Sequence, residues 1–256
     1  MSPTRGMKAE EARGISIDAS GVLSQANDVD LIERRRAQIV EAAVSLFARQ
    51  GFYRTTVQEI ARKANVSAGL IYHYARTKED VLLLTLLHVL DTYRAVVPKA
   101  LEGVTDPLER VRTVLSAFCH VVADNLDATV LVYRSTRSLP PAQRDMIKRS
   151  EIETNEILAE AIRACIRVKL FREVDVDFAT YQLVMNIHMW ALKHWHFKNR
   201  FDVDGFVAVS FDFFVNALAT PKGLKAYERL RAARAAKPAP ETKAAKAAPR
   251  RKSALR

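Results

Sequence analysis

Apolar residues in this chain recur every three or four positions and hardly ever every two. From Leu31 onward, Ile32, Ile39, Ala43, Leu46 and Phe47 fall on one stripe of a helical period, the mark of an amphipathic helix with one face in a core. The same period returns over about 127–136, 140–169, 176–197 and 203–219. No stretch alternates as a half-buried strand does, and no segment repeats in tandem. Only 8 Gly and 9 Pro in 256 residues interrupt the pattern. An all-α fold is the expectation.

Punctuation sets the element boundaries. The first stripe ends at Gln50-Gly51, with glycine where a helix C-terminus takes a left-handed residue. Thr56-Val-Gln-Glu59 reads as a capping box, opening a short helix that stops near Asn65. Ser67 caps a second short helix over Ala68–His73. Thr77-Lys-Glu-Asp80 opens a third, filled with leucines through Leu90. Asp106-Pro107 starts another, with proline at a tolerated early position. Residues 1–30 hold no sustained apolar stripe and read as a disordered extension. After Pro221 the chain turns rich in Ala, Lys, Arg and Pro, which reads as a flexible basic arm over 222–256.

Hydrophobic residues make up 49% and charged residues 27% of the sequence, enough to build a core and too apolar for a disordered chain. Two cysteines, Cys119 and Cys165, with no CxxC pair, exclude a disulfide scaffold and a zinc ribbon. The N-terminus builds no apolar run of the signal-peptide kind, and no uncharged stretch is long enough to span a bilayer. A soluble protein of a reducing compartment is expected. Net charge is +11 and unevenly spread. Residues 31–78 carry 9 basic and 3 acidic groups, and residues 222–256 carry 12 and 2, around a mildly acidic body. Charge segregated in this way suits a polyanion.

Residues 56–74 place two short helices around a tight turn at Ala64-Asn65-Val66, the spacing of a helix-turn-helix. Ile60, Ala61 and Val66 allow a close crossing, and Asn65 tolerates the positive φ such a turn requires. Ser67 leaves backbone N–H groups outward, suited to a phosphate oxygen. Ala68 and Gly69 leave room for DNA to approach. Tyr72 and His73 add flat polar side chains, and Lys78 a charge.

The run Ile39–Ala43, Phe47, Gly51-Phe52, Thr55-Thr56, Ile60-Ala61, Ala64, Val66-Ser67, Gly69, Ile71–Tyr74, Lys78 and Leu82 closely resembles the DNA-binding domain of the TetR/AcrR family. Asn65 stands where the family usually has Gly, and Tyr74 where it has Phe. The resemblance implies a homodimer binding a double-stranded, pseudo-palindromic operator through three N-terminal helices, with a divergent helical C-terminal domain for a small effector. It also implies a cytoplasmic protein, nucleoid-associated when on DNA, with no membrane partner. Its implied layout is a DNA-binding domain over 31–94, motif about 56–75, and a ligand-binding and dimerisation domain over 95–221. By position, Thr56, Tyr72, His73 and Lys78 are implied phosphate contacts, with Ser67, Ala68 and Gly69 at the groove-facing start of the recognition helix.

The body gives less. Met185, Met189, Leu192 and Trp195 share one stripe, and Trp190, His194 and Phe197 another. With Phe206, Phe211, Phe214 and Val215 they match the helices that dimerise in this family. His188, His194 and His196 are spaced off any common face, so no metal or cofactor is expected. Glu153, Glu156 and Glu160 share a face, read as solvated for want of a nucleophile or positioned histidine. Arg134, Arg137, Arg144, Lys148 and Arg149 surround Pro140-Pro141. The stretch Tyr133–Arg163 resembles the C-terminal domains of TetR-type repressors of fatty-acid and steroid catabolism, which implies an apolar effector, an acyl-CoA among the candidates. Arg134 and Arg137 would meet phosphates while Trp190, His194 and Phe197 meet the acyl chain. Two other functions are weighed: an architectural DNA-binder governed by the basic tail, and an enzyme acting on acyl-CoA.

Overall fold

Three side-chain caps and one glycine fix the geometry of the N-terminal quarter. Helix α1 (Gln25–Gln50) ends at Gly51, whose φ of +82° is open to glycine at little cost. Thr56 and Glu59 close the expected capping box on α2 (Val57–Lys63). Asn65 takes φ +54°, and Val66 N–H donates to the Ala61 carbonyl across the turn. Ser67 caps α3 (Ala68–Tyr74), and Thr77 with Asp80 forms a second capping box on α4 (Lys78–Ala100). Each such cap stabilises its helix by about 1 kcal/mol.

The computed structural model describes residues 25–235, and among them there is no strand, only one isolated bridge between Phe171 and Ala219. The body comprises α5 (Pro107–Asp124), α6 (Leu126–Ser135), a 3-10 turn (Thr136–Ser138), α7 (Pro141–Arg167), α8 (Val176–Leu192), α9 (His194–Phe197), α10 (Val203–Leu218) and α11 (Pro221–Ala235).

Two apolar cores organise these helices. The first joins Ile39, Phe47, Ile60, Ile71, Leu82 and Leu86 to three residues from the body, Leu131, Leu139 and Ile147. The second is built from α5, α7, α8 and α10 around Phe118, Leu158, Leu183 and Val215, with Val89, Tyr93 and Val97 of α4. Helix α4 is leucine-rich because it passes through both. Burying each such side chain contributes about 1.5–3 kcal/mol. Cys119 and Cys165 are buried, free thiols that burial raises to about 12 each.

The structure departs from the sequence reading in four places. Helix α1 starts at Gln25, inside the segment read as disordered, because extending a formed helix adds one hydrogen bond per residue without needing an apolar side chain. Residues 1–24 lie outside the described residues. The boundary read at 94/95 falls within the continuous α4. The helix read over 176–197 breaks at Lys193, whose non-helical φ of −124° separates α8 from α9 and lets Trp190 and Phe197 both pack on Phe206.

The fourth departure is α11, in the segment read as a flexible arm. Tyr227 packs edge-on against Phe211, and its hydroxyl donates to Asp212 Oδ1 at 3.0 Å. Gly223 lies so close to α7's C-terminal loop that a Cβ there would sit 2.0 Å from the Leu170 carbonyl oxygen. Glu109 pairs with Arg234 near the helix end. Residues 236–256 of the expected tail lie outside the described residues.

Candidate functional site

Helices α2 and α3 turn Val57, Ile60, Ala61 and Ile71 inward and leave a polar outer face. On α3, Gly69 and His73 are exposed, Ala68 is half-buried, and the Tyr72 ring is 47% exposed. The Ser67 hydroxyl accepts from Leu70 N–H at 3.1 Å. Beside Gly69 the space is empty: an added Cβ would meet nothing nearer than Ser67 Oγ at 3.8 Å. Nothing in the chain's own packing asks for glycine there.

Thr56 is exposed, but its hydroxyl and backbone N–H both serve Glu59. These bonds hold the Glu59 carboxyl below its usual range. Lys78 differs from its expected role. Its ammonium turns inward, donating to the carbonyls of Phe52 at 2.9 Å and Tyr53 at 3.2 Å, and lies over the Phe52 ring at 4.5 Å. The loop after α1 presents orphan carbonyls and an aromatic face, and a lysine stem at the start of α4 reaches both. Arg62, Lys63 and Arg76 are exposed cations of the same module that the residue-by-residue reading passed over. The net charge of 31–78 was the available signal.

A cavity of about 330 Å³ lies in the body where α4, α6, α7 and α8 meet. Leu86, Val89, Leu90 and Tyr93 of α4 form one wall, and Ile147 and Glu151 of α7 another. Between them sit Val132 and Tyr133 of α6, Met185 and His188 of α8, and Arg137 beyond α6. The Tyr133 hydroxyl and His188 Nδ1 are 2.6 Å apart. Burial pushes the His188 imidazole down to about 4 and the Tyr133 phenol up to about 12, so both are neutral at pH 7. The two are hydrogen-bonded to one another as neutral groups, and the Tyr133 hydroxyl also lies 3.8 Å from Met185 Sδ. Burial also raises the Glu151 carboxyl above its usual range.

Of the five expected ligand residues, only Arg137 lines this cavity. Arg134, on the opposite face of α6, lines a separate cleft of about 550 Å³ with Arg49, Phe52 and Tyr53. Trp190 and Phe197 are core residues packed on Phe206, and the His194 ring stacks edge-on against Trp190 at 5.2 Å. Tyr93 and His188, polar residues on otherwise apolar helical stripes, were the legible sign of this cavity. The carboxylates Glu153, Glu156 and Glu160 pair with Arg94, Arg163 and Arg167 as a solvated face. Among the described residues no three His, Cys, Asp or Glu gather as metal ligands.

Two further features frame the cavity. Phe178, Met185, Leu192 and Trp195 form an exposed apolar stripe along α8 and α9, 70% exposed at Trp195. Val209 and Phe213 stand out from α10, the latter 73% exposed. Toward the DNA-binding module, Gln143 in the first turn of α7 donates to Asp80 Oδ1 at 2.6 Å. Asp80 Oδ2 meanwhile accepts from the backbone of Arg76 and Thr77. Gln143, Ile147 and Glu151 are each one helical turn apart, so one face of α7 links the α4 cap to the cavity.

A helix-turn-helix module fused to an all-α body with a cavity beside it is the architecture of a transcriptional regulator of the helix-turn-helix type. Residues 39–84 match the family model described as bacterial regulatory proteins, tetR family, and residues 104–196 match a tetracyclin repressor-like C-terminal domain. The chain is 44% identical over 212 residues to the HTH-type transcriptional regulator HbdR of Aromatoleum sp. (strain CIB), covering 83% of this chain and 93% of the relative. The TetR family regulator PfmR from Thermus thermophilus is 27% identical with a TM-score of 0.57, over 69% of this chain and 94% of that one. FadR from Bacillus subtilis, solved in complex with stearoyl-CoA, shares the fold at 20% identity and a TM-score of 0.62, over 70% of this chain and 97% of its own. The chain belongs to the TetR family of transcriptional regulators.

Proposed function

We propose that this regulator is a homodimeric repressor that holds a pseudo-palindromic operator and releases it when an effector enters the α4/α6/α7/α8 cavity. The observation that carries this reading is the continuity of α4. Its first turn is capped by Asp80 and clamped to the α1–α2 loop by Lys78, and its third to fifth turns wall the cavity through Leu86, Val89 and Tyr93. An effector that changes the wall therefore acts on the element that positions α3, and it shifts the equilibrium only by its differential affinity for the two states.

Tyr72, His73 and the open edge at Ala68 and Gly69 are assigned to DNA, with Ser67 and Thr56 as caps whose backbone neighbours face phosphates. Lys78 supports that surface from behind. The apolar stripes of α8, α9 and α10 are assigned to the partner protomer, since exposed aromatic patches of this kind mark interfaces. The relatives named as regulators, rather than enzymes, support a non-catalytic reading of the cavity.

For the effector we infer a CoA thioester, with Arg137 at the rim for a phosphate. The FadR–stearoyl-CoA complex shows that this fold houses such a ligand. Cavity volume narrows the class. A dry 150 Å³ cavity holds benzene and one water takes about 30 Å³ of liquid, so about 330 Å³ holds an acyl group of roughly a dozen heavy atoms and not an extended C18 chain. The test is fluorescence anisotropy on an operator selected from random DNA, titrated with acyl-CoAs of graded size. Release by compact acyl-CoAs, lost when Val89→Trp fills the cavity, is expected. Release by none, or release unaffected by the filled cavity, refutes the reading.

A further inference from the structure

The polar groups of the cavity say more about the effector than its volume does. Tyr93 lies in the wall between Leu86 and Val89 on one side and Tyr133 on the other, and is only 3% exposed. Its ring is clamped against Phe118, centroids 4.6 Å apart, so the phenol cannot swing toward water. Its hydroxyl has no hydrogen-bond partner. A buried O–H left unpaired costs about ten- to a hundred-fold in the folding equilibrium, from roughly 1–3 kcal/mol, and a phenylalanine at this place would avoid that cost.

Nearby, the Tyr133 hydroxyl and His188 Nδ1 are hydrogen-bonded to one another at 2.6 Å. The other hydroxyls are already used: Thr136 Oγ1 donates to the Val132 carbonyl, and Thr129 Oγ1 to that of Asn125. Of the hydroxyls among the lining residues, that of Tyr93 alone has no partner.

We infer that the buried end of the effector carries an oxygen acceptor, a carbonyl or hydroxyl oxygen, that pairs with the Tyr93 hydroxyl, and that this cavity rejects pure hydrocarbon of the same shape. The inference rests on the reading of this cavity as the effector site. A site built to hydrogen-bond its ligand discriminates more sharply than an apolar one, because the analogue leaves a protein donor unpaired. Tyr93 is then a residue that sets effector specificity.

The test uses full-length protein and two probes that fit the volume and differ only in C=O against C=CH2, acetophenone and α-methylstyrene. Saturation-transfer NMR titrations give their affinities for wild type and Tyr93→Phe. Wild type should prefer the ketone about ten-fold, the value of a hydrogen bond gained where a donor was unpaired. Tyr93→Phe should erase most of that preference by weakening the ketone alone, without lowering the melting temperature, since it removes an unpaired hydroxyl. Equal binding of both probes to wild type, or a preference unchanged in Tyr93→Phe, overturns this inference while leaving the cavity as a ligand site. Failure of both probes to bind wild type overturns the effector reading of the cavity, and this inference with it.

Discussion

Gly69→Ala separates what α3 needs in order to fold from what it needs in order to meet DNA. Within the protein the substitution is favourable. The new methyl finds its nearest neighbour, Ser67 Oγ, at 3.8 Å, an ordinary contact, and the backbone there is helical. Replacing glycine by alanine inside a helix stabilises by about 0.5–1 kcal/mol. For a chain of this size that is a rise in melting temperature of roughly 1–4 °C. On DNA the sign reverses. If Gly69 faces the groove at the start of the recognition helix, the methyl fills space that base edges or sugar occupy, and loss of one such close contact costs about 1–3 kcal/mol. Operator affinity should fall by about ten-fold or more while stability rises. Calorimetric melts and anisotropy titrations on a selected operator, at one fixed salt concentration, measure both. Wild-type affinity in the stabilised variant would refute the groove-facing placement of α3. A fall in melting temperature would refute the open space beside it.

Three other outcomes follow from the same geometry. Lys78→Ala should destabilise the fold by about 1–2 kcal/mol, through lost carbonyl and ring contacts, whereas Tyr72→Ala should weaken operator binding by about 1–3 kcal/mol with an unchanged melt; melts and titrations of the pair distinguish a clamp from a contact. Gly223→Ala should cost about 1–3 kcal/mol by overpacking against Leu170 and raise hydrogen exchange across α11, and unaltered exchange would count against its tight docking. Residues 236–256 hold seven Lys or Arg and one Glu, and deleting them should flatten the salt dependence of log K by about 0.9 for each phosphate they neutralise. Superimposable slopes, or a changed operator preference, would remove that role.

What could be read from the chain and what could not divide along the range of the interactions. The helix-turn-helix is written in local chemistry: two capping boxes four residues long, a serine cap, a glycine after Gln50, and an asparagine that accepts φ +54°. Each is decided by neighbours in sequence, so each could be placed before any packing was known. The cavity is decided by four helices distant in sequence. Trp190 and Phe197 were the most conspicuous aromatics and became core because Phe206 lies against them, a fact their own stripe does not contain. Ile147 and Val89 line the space yet look like any buried aliphatic. Lys78 shows the same limit from the other side. Its place in the motif was legible, but the direction of its side chain depended on the carbonyls of Phe52 and Tyr53, more than twenty residues earlier. The docking of α11 was partly legible, since Gly223, Tyr227 and Leu230 fall at helical spacing within a run dominated by Ala, Lys and Arg.

The N-terminal core has a consequence for anyone who would transplant one half of this molecule. Leu131, Leu139 and Ile147 are counted by sequence among the body, yet they are 2% exposed and sit among Ile39, Ile71, Val81 and Leu82. A fragment ending anywhere along α4 would leave three lipophilic holes on one side of the helix-turn-helix, and the reciprocal fragment would carry three naked apolar side chains. Chimaeras that borrow a different effector body therefore succeed only where the donor supplies apolar residues of similar volume at those three positions, in the same register relative to the Asp80 acceptor. The borrowed patch belongs to one half of the molecule by chain order and to the other by packing.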